Sequence, residues 1–120
     1  MTYESGDVVV VPFPFTDRQT SKRRPALVIS SGPVFNNLSG YLVLAMITSE
    51  KNPPWPLDVP LKDLDSAGLP SPSVVRMKLF TLDQRLIVRK AGKLADIDQS
   101  GVSTALNNLL RAGTHGVKRL

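Results

Sequence analysis

Apolar residues in this chain fall in short runs, separated by proline, glycine and polar clusters. Such segments, rich in Val, Ile and Leu, predict several short strands joined by turns. Asp7-Val8-Val9-Val10-Val11-Pro12 follows a glycine and predicts a buried strand, closed by Pro12 and Pro14, which remove ladder donors. Residues 13–24 read as a polar loop with Phe13 and Phe15 at its base. Pro25 to Ser30 is the second predicted strand, and residues 31–40, with Gly, Pro and Asn-Asn, a turn. Tyr41 to Thr48 is the longest apolar run and predicts a central strand.

The second half continues in the same style. Asn52-Pro53-Pro54-Trp55-Pro56 excludes regular structure, because three prolines fix φ and remove donors. Leu57 to Leu61 alternates like an edge strand, and residues 67–72 read as a loop. Ser73 to Lys78 predicts another strand, with Phe80-Thr81-Leu82 leading away from it, and Leu86 to Leu94 ends the sheet. One helix is predicted. Asp96 or Asp98 can cap it. Val102, Ala105, Leu106, Leu109 and Leu110 then follow the spacing of one apolar helical face, with Gly113 past the end. Short strands with one terminal helix predict a mostly β fold, a small curled antiparallel sheet or barrel. A single domain over 1–112 and a tail over 113–120 complete the expected organisation.

Charge adds an asymmetry. The net charge is +5; residues 1–60 balance five Lys/Arg against five Asp/Glu, while residues 61–120 carry ten against five. A basic half suits a phosphate-backbone binder, yet charge alone does not separate that from ordinary solubility. The chain has no cysteine, which removes disulfides, thiolate metal sites and cysteine nucleophiles. A cytoplasmic location fits. No signal peptide is predicted, and no apolar run is long enough to span a membrane.

The candidate chemistry is narrow. The single histidine, His115, lies in the expected tail, which disfavours His-centred catalysis. Asp63/Asp65 and Asp96/Asp98 are spaced for turns and caps rather than for metal. No nucleophile elbow or glycine-rich phosphate loop is present; Gly68 and Gly92 stand alone. What remains is Lys22-Arg23-Arg24 before Pro25. The residue before proline is pushed toward extended geometry, so Arg24 is expected at a strand mouth, where its fork can hold a phosphate. A solvated basic loop is the other reading of the same run.

Several blocks, in order, resemble the MazF/PemK toxin family. They are Gly6 to Asp17, then Lys22-Arg23-Arg24-Pro25-Ala26-Leu27-Val28-Ile29-Ser30, then Ile47-Thr48-Ser49. Leu69 to Arg76, Leu79 to Asp83 and Gly92-Lys93-Leu94 follow, so the resemblance covers residue 6 to about residue 110. It implies an SH3-like small β-barrel with a C-terminal helix, acting as a homodimer. It implies sequence-specific cleavage of single-stranded RNA with no metal or other cofactor. It also implies a cognate antitoxin whose disordered segment covers the RNA groove. The family's catalytic Arg and Thr fall on Arg24 and Thr48, and Arg76 resembles a position near the groove. Asp17, Lys22, Arg23, Arg76 and Lys78 are the candidate RNA-binding residues. Phe13, Phe15 and Trp55 could stack on bases, with core or lid roles as the alternative. There are two departures, neither touching Arg24 and Thr48: Arg76-Met77-Lys78 lacks the acidic base-contacting residue some relatives carry just after that arginine, which bears on base preference, and the first loop lacks a histidine present in some members. A non-catalytic gyrase-poisoning toxin of the same barrel type and an inactive RNA- or antitoxin-binding relative are the competing readings.

Overall fold

The computed structural model describes residues 2–13 and 22–110. The four consecutive valines of β1 (Asp7–Phe13) are an apolar run because the strand is covered on both sides. Val8 points into one apolar cluster, and Val9 and Val11 point into another. β2 (Lys22–Val28) and β3 (Tyr41–Ser49) alternate in the same way. Leu27, Ala45 and Ile47 join the first cluster; Ala26, Val28, Leu42 and Leu44 join the second. Each fully buried aliphatic side chain contributes roughly 1.5–3 kcal/mol. A one-residue slip would exchange the two sets, so two-sided burial fixes the register.

The sheet has six strands in the order β4-β5-β3-β2-β1-β6, with all pairs antiparallel. β4 (Val59–Pro60) is a two-residue edge strand, β5 (Ser73–Asp83) the longest, and β6 (Arg89–Lys93) the other edge. The fold is thus mostly β, a curled half-barrel sheet with a C-terminal helix, as the sequence and the family resemblance led one to expect.

Several boundaries differ from the sequence reading. β1 continues through Pro12 to Phe13, and β2 starts at Lys22 rather than Pro25. Pairing with β1, from Val8↔Leu27 out to Phe13↔Lys22, holds the basic run in the sheet. Residues 31–40 contain a wide helical turn, Gly32–Asn36, and a shorter one, Asn37–Ser39. Buried Asn36 anchors it by donating to the Tyr3 and Ser30 carbonyls. Residues 73–83 form one strand, not a strand with a departing tail. The register slips by two residues between Ala45↔Leu79 and Met46↔Arg76, leaving Met77 and Lys78 extra. An even slip preserves the in–out alternation, so the strand crosses the bulge without exchanging faces.

Two helices cover the first cluster. α1 (Leu64–Ala67) is capped by Asp63, whose carboxylate accepts from the Ser66 N–H. It ends at Gly68, with φ 73°, where a Cβ would lie 2.1 Å from the Ala91 carbonyl oxygen; only glycine fits there. α2 (Asp96–Leu110) buries Val102 and Ala105; Val102 joins that cluster and Leu106 packs against it. The expected apolar stripe is covered over its first half only, since Leu109 and Leu110 are 40% and 57% exposed. The expected helix tail over 113–120 lies outside the described residues.

Asp98 does not cap its own helix. It is buried, and its two oxygens accept from the Lys62 and Asp63 backbone N–H groups at 2.9 Å each. One carboxylate in the first turn therefore ties α2 to the segment between β4 and α1. Asp98→Ala would strand two donors, and we expect it to cost roughly 3 kcal/mol in denaturant unfolding. Asp98→Asn, which keeps one acceptor, should cost less. A loss below about 1 kcal/mol for the alanine variant would show that the tie is not structural.

Candidate active site

The side chains of the second cluster run out toward one end of the sheet, and polar groups replace them there. Along β3 the same face reads Leu42, Leu44, Met46, Thr48; along β2 it reads Val28, Ala26, Arg24; along β1 it reads Val9, Val11, Phe13. β2 pairs with β3 from Val28↔Leu44 to Ala26↔Met46. Two residues further along the same register stand Arg24 and Thr48. Val11 pairs with Arg24 and Val74 with Thr48; the β2–β3 ladder ends at Ala26↔Met46, and its register carried two residues further sets Arg24 and Thr48 in one row. A cleft of about 220 Å³ opens there, lined by Phe13, Arg24, Met46, Thr48, Arg76 and Lys78 with Ile47.

Each polar group in this cleft is oriented. The Arg24 guanidinium is exposed and lies 5.6 Å from the Phe13 ring centre, a cation–π contact that holds its plane near the cleft wall. The Asn52 side-chain amide donates to Thr48 Oγ1 at 2.5 Å. A hydroxyl that accepts this bond keeps its own hydrogen to donate. Thr48 is thereby set up as a directed O–H donor beside a fixed cation.

Arg76 lines the cleft but is heavily engaged. Its Nε donates to Asp58 Oδ1 at 3.1 Å, and its Nη2 donates to Asp58 Oδ2 at 3.0 Å and to the Pro53 carbonyl at 2.9 Å. The side chains of this pair are 11% and 12% exposed. Asp58 also accepts from the Trp55 N–H at 2.9 Å. Burial pushes the Asp58 carboxyl up, but the hydrogen bonds from Arg76 and the Trp55 N–H, with the Arg76 charge, outweigh it. The group titrates below its ordinary 3.8. The Arg76 guanidinium is raised in turn, chiefly by its hydrogen bond to Asp58. Arg76 thus pins residues 53–58 to the sheet.

The remaining candidates divide. Lys22 is exposed at the start of β2 and alternates to the same side as Arg24. Lys78 lines the cleft, beyond the bulge. Arg23 alternates to the opposite side, where it borders a separate recess with Val10, Leu69, Pro70 and Arg89. Arg24 lines this recess too, but Arg23 does not line the cleft that holds Thr48. Asp17 and Phe15 lie outside the described residues. Asn52 and Asp58 were not legible as site residues; the partner of Asp58 is 18 positions away, and no local pattern marks either one. Among the described residues, no group of three or more His, Cys, Asp or Glu is placed to hold a metal ion, and no helix is long and apolar enough to cross a membrane.

The sequence profile of the PemK-like, MazF-like toxins of type II toxin–antitoxin systems matches residues 4–110. The chain belongs to this family. Solved MazF-like structures share its fold. A Deinococcus radiodurans MazF in a MazE–MazF complex superposes with a TM-score of 0.71 at 23% identity, covering 96% of this chain and 99% of that one. A mycobacterial endoribonuclease bound to its cognate antitoxin gives 0.72 at 17% identity, covering 95% and 98%. A Mycobacterium tuberculosis MazF toxin gives 0.69 at 21% identity, covering 88% and 96%. No curated protein matches the chain by sequence.

In this MazF-like toxin the Asp58–Arg76 pair makes the cleft wall pH-dependent in one direction. The folded pKa of Asp58 is depressed, so its contribution is complete above about 3.8 and is lost as pH falls through the lower folded value. Trp55 is the chain's single tryptophan, and its emission reports this wall. We expect emission to hold steady from pH 7 to about 3.8 and to change only below that. Asp83, lowered to about 2 chiefly by its hydrogen bond to Arg85, stays charged for longer. A transition centred above 3.8 in still-folded protein would contradict the assignment.

Proposed function

We propose that this toxin is a metal-independent endoribonuclease that cleaves single-stranded RNA, including mRNA, at specific sequences. The observation that carries the reading is the convergence of Arg24 and Thr48 in one row at the mouth of a basic cleft. In the reaction the ribose 2′ oxygen attacks the adjacent phosphorus. The new 2′-O–P bond forms, the P–O5′ bond breaks, and the 2′ proton is lost to solvent. The 5′ oxygen takes up a proton, and the products carry 2′,3′-cyclic phosphate and 5′-OH ends. No water molecule is consumed in this step.

The transition state gathers negative charge on the phosphoryl oxygens. Arg24 meets it with a permanent positive charge and a forked donor, and Thr48 meets it with the O–H that Asn52 leaves available. An arginine is a poor base, its ordinary pKa being about 12.5 or more. Its role is electrostatic stabilisation, with the bond-making driven by the substrate's own hydroxyl. Lys22 and Lys78 stand on the same side and bind flanking phosphates by charge. Arg23 serves the RNA path outside this cleft, and Asp17 is assigned to RNA binding as well. The toxin acts in the cytoplasm as a homodimer formed by a single domain spanning 1–112, and a cognate antitoxin restrains it. The MazE–MazF complex and the antitoxin-bound endoribonuclease among its structural neighbours support that partner.

The test is incubation of the protein with long single-stranded RNA in excess EDTA, with the 5′ ends of the fragments mapped. Discrete cuts that persist in EDTA are expected. Arg24→Ala and Thr48→Ala should each lower kcat by roughly 10²–10³-fold, as loss of one preorganised donor does. Intact RNA across diverse sequences would overturn the reading, and cross-linking to gyrase under those conditions would favour the non-catalytic toxin.

A further inference from the structure

Two of the side chains that line the cleft, Arg76 and Lys78, contact an aromatic ring that the cleavage chemistry does not use. Trp55 is 43% exposed, in a segment where Pro53, Pro54 and Pro56 leave the backbone little freedom. The ring is nevertheless fixed. The Arg76 guanidinium lies 5.1 Å from its centre and the Lys78 ammonium 5.9 Å. Its backbone N–H is bonded to Asp58, and Asp58 is held by Arg76. Leu57 adopts φ 68°, a left-handed conformation that a leucine takes only when its surroundings impose it. Here the imposing contacts are those of Trp55 and Asp58 on either side. Three bonds from Arg76, one strained residue and three prolines thus serve to present one half-open indole.

Arg76 and Lys78 also line the cleft that holds Arg24 and Thr48. The ring therefore sits one side chain away from the place where a phosphate is held. We infer that Trp55 is a stacking platform for an unpaired base of the RNA, next to the nucleotide whose phosphate lies between Arg24 and Thr48, and that Arg76 is the positioning residue that presents it. This rests on the proposed RNA-cleaving function. An indole face accepts any base, and its rigid setting means little motion is lost when a base stacks. Two neighbouring cations keep the flanking phosphates close to the ring. A duplex has no free base face to offer, so the platform selects single strands.

The single tryptophan makes the inference directly measurable. The probe is a short random-sequence single-stranded RNA with 2′-fluoro riboses, which has no hydroxyl to attack, titrated against the protein while emission is followed. Quenching is expected with the single strand and not with its annealed duplex. Affinity is read in parallel from the anisotropy of a dye on the RNA, which also serves variants that lack the indole: Trp55→Phe should keep it within about two-fold, and Trp55→Ala should weaken it by about ten-fold, the usual value of one stacked base. Arg76→Met should keep the fold but weaken binding, with quenching reduced. Equal quenching by duplex and single strand, or single-strand affinity unchanged in Trp55→Ala, would overturn the platform. Cleavage is scored separately on unmodified RNA with the wild-type protein. RNA cut normally by Trp55→Ala would sink the platform while leaving the nuclease reading intact. RNA left whole by a wild-type protein that still shows selective quenching would do the reverse.

Discussion

Burial of β3 on both faces is the constraint from which the rest of this molecule follows. Leu42 and Leu44 fill one apolar cluster while Ala45 and Ile47 fill the other. Such a strand cannot shift by one residue without moving a whole set of side chains into the wrong cluster. Its neighbours β2 and β5 are locked to it in consequence, and β1 is locked to β2. The position of Arg24 relative to Thr48 is therefore not set by a loop. It is set by hydrophobic packing several residues away, at Ala26, Val28, Leu42 and Leu44. Sites built on strands in this way hold donors more tightly than sites built on loops, and electrostatic stabilisation of a transition state needs that fixity.

The other cleft wall, formed by Arg76 and Lys78, is backed by a segment that is built differently. Residues 53–58 pair with no strand partner, and prolines deny them half of the backbone donors that could make one. Their shape comes from a side chain of the sheet, Arg76, whose guanidinium engages Asp58 twice and the Pro53 carbonyl once. The two-residue slip in β5 follows directly after Arg76. It leaves Met77 and Lys78 outside the regular pairing while keeping the alternation, so Lys78 comes to the same cleft. One wall is thus positioned by packing and the other by charge, and only the second responds to pH in the acid range.

Much of this was legible in the chain. The valine run of β1, the apolar run of β3 and the spaced residues of α2 carried enough periodicity to define a mostly β fold with a terminal helix. Arg24 and Thr48 were singled out through family resemblance, and both line one cleft. What escaped was every feature whose cause lies far away in sequence. Asp98 looked like a helix cap because local spacing permits one, yet its partners are the N–H groups of residues 62 and 63. Residues 22–24 looked like loop because they are basic, yet β1 pairs with them. Arg76 resembled a groove residue, and it is at the groove, but most of its hydrogen-bonding capacity goes to a carboxylate that no local pattern links to it.

The arrangement also explains how a small sheet can carry both a core and a charged cleft without one weakening the other. Along β1, β2 and β3 the same face changes from buried aliphatic residues to Phe13, Arg24 and Thr48 over one or two steps of the alternation. Phe13 and Met46 stand at the transition. They are apolar enough to close the cluster beneath them, and Phe13 presents a ring face that a guanidinium can rest on. Trp55 and Arg76 repeat that aromatic–cation contact on the opposite wall. Two cations, each backed by a ring, thus face one gap between diverging strands. The Arg24 charge is oriented by apolar surface, whereas Arg76 is ion-paired with Asp58, so the charge left to the gap is chiefly that of Arg24 and Lys78. On the proposed RNA-cleaving reading, a phosphate entering there would meet positive charge that has already paid its ordering cost in the folding of the sheet.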